Sequence, residues 1–391
     1  MEKKILVFTD WYYPAFKAGG PVRSVTNMVN VLSDQFDFYI FTGDRDLNDS
    51  DSFQNISFNT WKPLGKNNFV YYSQPELHKK RLAAEITKAN ADVVYFNSMF
   101  SVNFTLYPLI HIIRHKLPGK IVLAPRGMLH AGALKLKLLK KKIFIGLLNF
   151  FNIPAKITFH ATDEQEKRDI LKNFPGAKEV VVVGNIPDTS ISAFSIPEKI
   201  PSTLRIVFLS RIQQKKNLLM FLKLLNEFKA PPGAISFDIY GSKEDATYWK
   251  QIEESISSSP HTIRFMGEVE HEQVMKVLSF YHLFVLPTHG ENFGHSIYEA
   301  LKAGVPVLIS DQTPWRNLQE FHAGWDIPLN EPDKYINALK TMLDLDQQSF
   351  DRYVQGAKAL ANKYIQDNNF VEDYKKLFSD NKASFNSTVT M

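Results

Sequence analysis

Short apolar runs recur along this chain with helix-periodic segments between them, an alternation that few architectures accommodate. Runs at 4–9, 38–42, 92–96, 120–124, 156–160 and 180–183 fill the first half. A second series at 204–209, 236–240, 262–265, 283–287 and 305–310 follows, each run leading into a turn and a helical pattern. Runs this uniformly apolar need cover on both faces, so the pattern predicts parallel sheets flanked by helices. Between the two series, 187–202 (PDTSISAFSIPEKIPS) holds three prolines, four serines and no periodicity, and reads as a linker. The expected fold class is α/β, with two doubly wound domains in tandem and the cleft between them as the default ligand site. With 391 residues the chain has the length for two domains. Their expected limits are 1–187 and 203–360, joined by 188–202. The segment 361–391 would form a helix returning toward the first domain and a frayed tail.

Composition narrows the chemistry. No cysteine is present, which removes disulfides, thiolate nucleophiles and zinc–thiolate sites and suits a reducing compartment. The opening MEKKILVFTD has too short an apolar run for a signal peptide, so a cytoplasmic location is expected. The longest apolar stretch, 143–151, is about half the ~20 residues of a spanning helix. Charge is uneven: 1–200 carries 26 Lys/Arg against 18 Asp/Glu, whereas 201–391 carries 20 against 23. Residues 101–150 hold nine basic residues and no acidic one, a cationic face suited to phosphates or anionic lipid.

The densest polar signal is His289-Gly-Glu291-Asn-Phe-Gly294-His-Ser-Ile-Tyr-Glu299, between the run 283–287 and a helical pattern. A strand end, a glycine loop and a helix start bring the amides of Asn292, Phe293, Gly294 and His295 to the carboxyl edge of a parallel sheet, a geometry that holds phosphate. Glu291 lies in that loop and Glu299 on the second helical turn, so their roles differ. Taken singly, each reads as a solvated carboxylate. A second signal, Ser210-Arg211-Ile-Gln-Gln-Lys215-Lys216-Asn217, follows the run 204–209. Cations at a helix start oppose its dipole and call for an external anion. In the long loop after the first run, Gly19-Gly20 permits close backbone approach to a ligand, although a glycine pair alone is commonly just a turn.

The string from Glu291 through Glu299-Ala-Leu-Lys-Ala-Gly304-Val-Pro-Val to Trp315, with seven residues between the two glutamates, resembles the retaining glycosyltransferases of family 4, of the group 1 type. Their fold is GT-B, two Rossmann-like domains facing a central cleft. The resemblance runs over nearly the whole chain and is strongest from 204 to 329. It implies a retaining, metal-independent glycosyltransferase without a cofactor, moving a hexose-type sugar from a nucleoside diphosphate, expected to be UDP, to a glycan or lipid-linked saccharide in cell-surface polysaccharide or lipopolysaccharide synthesis. Arg211 and Lys216 would clamp the diphosphate, with Lys215 as their exposed neighbour. Glu291 would position the donor sugar, and Glu299 would accept hydrogen bonds from the ribose. Donor contacts are also implied for Gly19, Gly20 and the loop Asn292, Phe293, Gly294, His295. Arg126 and Gly127, with His130, fall on the acceptor side, and His160 is a further cleft candidate. The residue types agree with these roles, since carboxylates are strong acceptors for vicinal hydroxyls and helix-start amides are anion donors. Val183-Gly184-Asn185-Ile186-Pro187 departs from the family's Pro-Asn-Gly segment, and Asn292 and His295 are larger polar groups expected to shape sugar choice.

Residues 134–151 (LKLKLLKKKIFIGLLNFF) combine five lysines with an apolar second part and are expected to dock on an anionic membrane surface, the competing reading being a core helix with a solvated face. No nucleic-acid partner is expected. Asp44-Arg-Asp46, Asp49-Ser-Asp51 and Asp344-Leu-Asp346 match a metal-binding Asp-x-Asp pattern but read as decoys without a nucleotide site around them. Neither a P-loop nor a Gly-x-Gly-x-x-Gly after the first strand is present. The alternatives are another GT-B activity, such as a nucleotide-sugar epimerase or a phosphorylase, and a non-catalytic sugar-nucleotide-binding subunit.

Overall fold

The computed structural model describes residues 3–75, 78–135, 138–189 and 194–379. The first sheet comprises β1 (Lys3–Phe8), β2 (Phe36–Gly43), β3 (Trp61–Pro63), β4 (Asn68–Ser73), β5 (Val93–Phe96), β6 (Lys120–Leu123), β7 (Thr158–Ala161) and β8 (Glu179–Val182). Their order is β3-β4-β2-β1-β5-β6-β7-β8, parallel except for the β3–β4 pair. The second sheet comprises β9 (Leu204–Leu209), β10 (Ile235–Tyr240), β11 (Thr262–Gly267), β12 (Leu283–Leu286), β13 (Val307–Ser310) and β14 (Gly324–Ile327), in the order β11-β10-β9-β12-β13-β14. All of its pairings are parallel.

Strand periodicity explains the layering. Leu6 and Phe8 of β1 join one buried cluster while Ile5 and Val7 join another on the opposite face, so the sheet is covered twice. Both strand orders reverse beside the strand that opens their domain, between β1 and β5 and between β9 and β12. Loops leaving the carboxyl ends of strands at such switch points diverge and leave a crevice for ligands.

Three strands go beyond the sequence reading. β3 and β14 are three and four residues long, too short to display a period, and β4 (NFVYYS) has only one strongly apolar pair. Pro63 sits on the sheet edge, where its missing N–H costs no ladder bond. No helix follows β13: 311–323 is turn-rich and leads straight into β14, contrary to the expected helix after 305–310.

The helical pattern 349–378 resolves into two helices, Gln347–Gln366 and Phe370–Phe378. Asn369 breaks it by capping the second, its side chain accepting from the Glu372 amide. Phe370, Tyr374, Leu377 and Phe378 of this helix pack with Ile5, Val7 and Phe36 of the first sheet, so the chain does return. Lys3 Nζ and Lys120 Nζ donate to the carbonyls of Phe378 and Ser379, placing cations where the helix dipole is negative. The tail expected to fray lies, from 380 onward, outside the described residues, as do 136–137 of the basic segment and 190–193 of the linker.

Candidate functional site

The loops after β9 and β12, neighbouring parallel strands, meet at the carboxyl edge of the second sheet. Lys215, in the single turn Gln214–Lys216, accepts at its carbonyl from the His289 amide at 2.8 Å and the Thr288 hydroxyl at 3.1 Å. The cationic loop and the glutamate loop are thereby one unit. Lys216 Nζ donates to Glu291 Oε1 at 2.5 Å, with both side chains only about a tenth exposed. Burial alone would raise the Glu291 carboxyl, but Lys216, Lys215 and hydrogen bonds from Lys216 and Thr288 hold it below its ordinary value, as a carboxylate.

Gly294, at φ 79°, precedes the helix His295–Ala303; a Cβ there would lie 2.8 Å from Ile297 Cδ1. Trp315 Nε1 donates to the Phe293 carbonyl at 2.6 Å and fixes the peptide just before the helix. At the start of this helix the amides of Ile297 and Tyr298 donate to the Gly294 carbonyl, whereas those of His295 and Ser296, residues that line the cleft, have no acceptor within the helix. Glu299 follows on the second turn and is buried, far from the solvated carboxylate that its sequence position suggests in isolation. Burial raises its carboxyl above the ordinary value, against the pull of Arg23. Arg23, on the first-domain helix Gly20–Leu32, places Nη1 3.9 Å from Glu299 Oε1. That nitrogen is buried and has no hydrogen-bond partner among the described residues. Acceptor and donor capacity thus face one pocket from two domains.

The cleft encloses about 330 Å³. Six cations line it (Lys17, Arg23, Arg126, Arg211, Lys215, Lys216) against the three carboxylates Glu268, Glu291 and Glu299. Gly19 and Gly20 line it from the first domain, and a Cβ on Gly20 would lie 3.8 Å from the His295 ring. Arg211 sits at the rim with Nη1 2.9 Å from Glu244 Oε1. Lys215 is not the exposed neighbour expected: it lines the cleft, and burial lowers its ammonium while Glu291 opposes that shift.

Other candidates are placed differently. Arg126, with a left-handed φ of 54°, donates to Asn97 Oδ1 at 2.9 Å, Asn185 Oδ1 at 2.5 Å and the Tyr95 hydroxyl at 2.7 Å. Its guanidinium therefore braces the first domain from the cleft wall instead of being presented to an acceptor. The Gly127 amide donates to Glu166 Oε1 at 2.5 Å. His130 pairs through Nδ1 with Asp169 Oδ2 at 2.5 Å. His160 is a core residue and not a cleft residue: it is fully buried between the Tyr95 hydroxyl and the Val183 carbonyl, each at 2.8 Å. Asn292 and His295 do not turn their side chains to a sugar. Asn292 Nδ2 reaches Thr162 Oγ1 at 2.6 Å and Glu166 Oε2 at 3.2 Å, and His295 Nε2 lies 3.1 Å from Ser24 Oγ. Both latch the loop and first turn at the start of helix 295–303 onto the first domain.

Arg23, Thr162, Glu166 and Asn185 were not among the sequence candidates. For Glu166 a signal existed: Asp163-Glu-Gln-Glu166 is a capping-box spacing, and the Asp163 side chain does accept from the Glu166 amide at 2.7 Å. The Asp-x-Asp decoys are structural. Asp46 accepts from the amides of Phe16 and Lys17 and so shapes the glycine loop, and Asp346 caps the helix Gln347–Gln366. Among the described residues no group of three or more His, Cys, Asp or Glu is arranged around a metal position.

Residues 189–359 match the family model described as glycosyl transferases group 1. A 2-deoxystreptamine N-acetyl-D-glucosaminyltransferase of Niallia circulans is 32% identical over 105 residues, 26% of this chain and 26% of that protein. The GtfA subunit of a UDP-N-acetylglucosamine–peptide N-acetylglucosaminyltransferase of Streptococcus agalactiae is 24% identical over 238 residues, 57% of this chain and 45% of that protein. The matches thus span a quarter to under half of those relatives. The structure of Anabaena HepE in complex with UDP and glucose superimposes with a TM-score of 0.65 over 96% of this chain and 98% of that one, at 16% identity. The fold is GT-B.

Proposed function

We propose that this chain, whose residues 189–359 match the group 1 glycosyl transferase model, is a retaining glycosyltransferase that moves a sugar from UDP to a hydroxyl of a glycan or lipid-linked saccharide. The observation that carries the reading is the Lys216–Glu291 pair beside a helix N-terminus, with Glu299 and Arg23 on the far side. The diphosphate lies over the first-turn amides of helix 295–303, with Arg211 and Lys216 supplying charge. Glu299 accepts from the ribose diol, and Glu291 holds hydroxyls of the donor sugar. As the bond from the anomeric carbon to the β-phosphate oxygen breaks, its electron pair passes to the diphosphate, where amides and cations already stand. The acceptor oxygen bonds to the same face of the sugar, and its proton passes to the departing phosphate oxygen. Glu291 acts by position, because Lys216 and Lys215 hold it as a paired carboxylate. Both relatives are N-acetylglucosaminyltransferases by name, one of them with UDP-N-acetylglucosamine, which makes this the first donor to test, with cell-surface saccharides as acceptors.

A thermal-shift screen against UDP, GDP, ADP and TDP tests the donor site, because a ligand of the native state raises its melting temperature by mass action. UDP is expected to stabilise the protein and Arg211→Ala to abolish the shift; no shift with any nucleotide would remove the donor site. Glu299→Ala is expected to weaken UDP binding about 10- to 100-fold, the worth of hydrogen bonds to a charged group. Arg23→Ala is expected to weaken it about tenfold by leaving a buried carboxylate without its cation. The role needs the ionised carboxylate, whose pKa is raised, so affinity should fall with decreasing pH sooner than for an ordinary glutamate. Glu299→Gln should flatten that profile in titration calorimetry; a profile left unchanged would exclude Glu299 from the ligand.

A further inference from the structure

The helix Leu138–Phe150 turns more large apolar side chains to solvent than to the core. Ile145 and Leu148 are buried, whereas Leu139, Ile143, Leu147 and Phe150 are 73, 55, 52 and 81% exposed. At about 3.6 residues per turn these four fall within one quadrant of the helix. Lys140 and Lys142, both exposed, border that strip on its two sides. Lys141 faces the other way: its Nζ donates to the Ala133 carbonyl at 2.6 Å and lies 5.2 Å from the Phe100 ring centre. Phe151, 60% exposed, prolongs the strip beyond the helix end. A contiguous apolar ridge of this kind marks an interaction surface.

We propose that this ridge docks the protein on an anionic lipid bilayer. The helix lies in the interface plane, its apolar strip among the acyl chains and Lys140 and Lys142 at headgroup level. Charge selects this occupant: the exposed Lys140 and Lys142 flank the strip and residues 138–151 carry no Asp/Glu, the complement of an anionic surface. The ridge also connects to the cleft. Lys141 ties the helix to Ala133, which lines the cleft, and a Cβ on neighbouring Gly132 would lie 3.8 Å from the His289 carbonyl. Resting on the transferase reading, this makes the acceptor a membrane-anchored saccharide whose hydroxyl enters at that side.

Co-sedimentation of the full chain with vesicles of phosphatidylcholine, and of an equimolar mixture with phosphatidylglycerol, tests the docking. Binding is expected to the mixed vesicles only and to fall with added salt. Both Lys140→Glu/Lys142→Glu and Ile143→Ser/Leu147→Ser are expected to weaken it at least about tenfold. The UDP-induced thermal shift of each variant should match that of the parent, which verifies folding and separates failure of the docking from failure of the donor-site reading. Absence of binding to mixed vesicles, or binding indifferent to both variants, overturns the proposal. So does a dimer in light scattering that Leu147→Ser converts to a monomer, which would give the ridge to a second copy.

Discussion

Lys216→Ala is expected to lose turnover by about 10²- to 10³-fold, the usual cost of removing one preorganised charge-stabilising group. It is also expected to lose about 3–5 kcal/mol of stability, because it strips the cation from a buried carboxylate. The two effects have different sources, and the geometry separates them. Lys216 Nζ sits 2.5 Å from Glu291 Oε1 with both side chains nearly closed to solvent, so without it Glu291 loses its hydrogen-bonded cation, keeps only the charge of Lys215, and is driven to protonate or rearrange. Replacing both partners by neutral groups of similar shape, Lys216→Met with Glu291→Gln, removes the unpaired charge and should recover most of the stability. Turnover should not recover, since the charge opposing the departing diphosphate is still missing. Denaturant melts and UDP-release assays on the single and double variants read the two quantities independently. A double variant as active as the parent would show that the pair serves the fold alone.

That pair also marks how far a sequence can be read. Arg211, Lys216 and Glu291 stand out as candidates because each sits in a short segment between a strand and a helix, where backbone geometry is set locally, and Glu299 because it follows on the second turn of the helix that such a segment opens. Their pairing could not be foreseen: Lys216 and Glu291 are 75 positions apart and meet only because β9 and β12 are neighbours in the sheet. Residues whose roles depend on the approach of the two domains were the least legible. Asn292 and His295 read as groups facing a sugar, yet Thr162, Glu166 and Ser24 claim their side chains. Arg126 and His160 carry the right chemistry for a cleft, and the packing of β5 and β7 draws both into a buried network around Tyr95. Strands long enough to show a period were legible, whereas β3 and β14 are fixed by their partners. The exposed ridge of helix 138–150 was half-legible, since composition gave its lysines and apolar residues but only the structure shows which of them face outward.

Acidification should unfold this protein well before its ordinary carboxylates titrate. His160 and His282 are enclosed and His295 is partly buried at the cleft, and burial depresses them to about 3, about 4 and about 3 from an ordinary value near 6.5. Nearby cations add to the shift: Arg126 for His160, Lys199 and Arg205 for His282, and Arg23 and Arg126 for His295. A base with a depressed native pKa binds its proton in the unfolded chain first. Its contribution to stability is therefore complete above about pH 6.5 and is lost as pH falls toward the native value. Each such histidine costs about 1.4 kcal/mol per pH unit in that interval, so three cost about 4, against a typical total of 5–15. Glu299, Asp10 and Asp163 act in the opposite sense, since raised carboxyls hold protons longer in the folded state, but only once pH approaches their own range. Because the unfolded rings are only half protonated at pH 6.5, denaturant titrations should show stability dropping by about 3 kcal/mol between pH 6.5 and 5.5. His160→Gln, remote from the donor loop, should reduce that slope by about a third without changing UDP affinity at pH 7.5. Stability that stays level over this range would mean that the three rings can take up protons in the folded state. In that case His295⁺ would add a cation beside Arg23 at the start of the donor helix, and UDP binding would tighten on acidification in place of the weakening that Glu299 imposes.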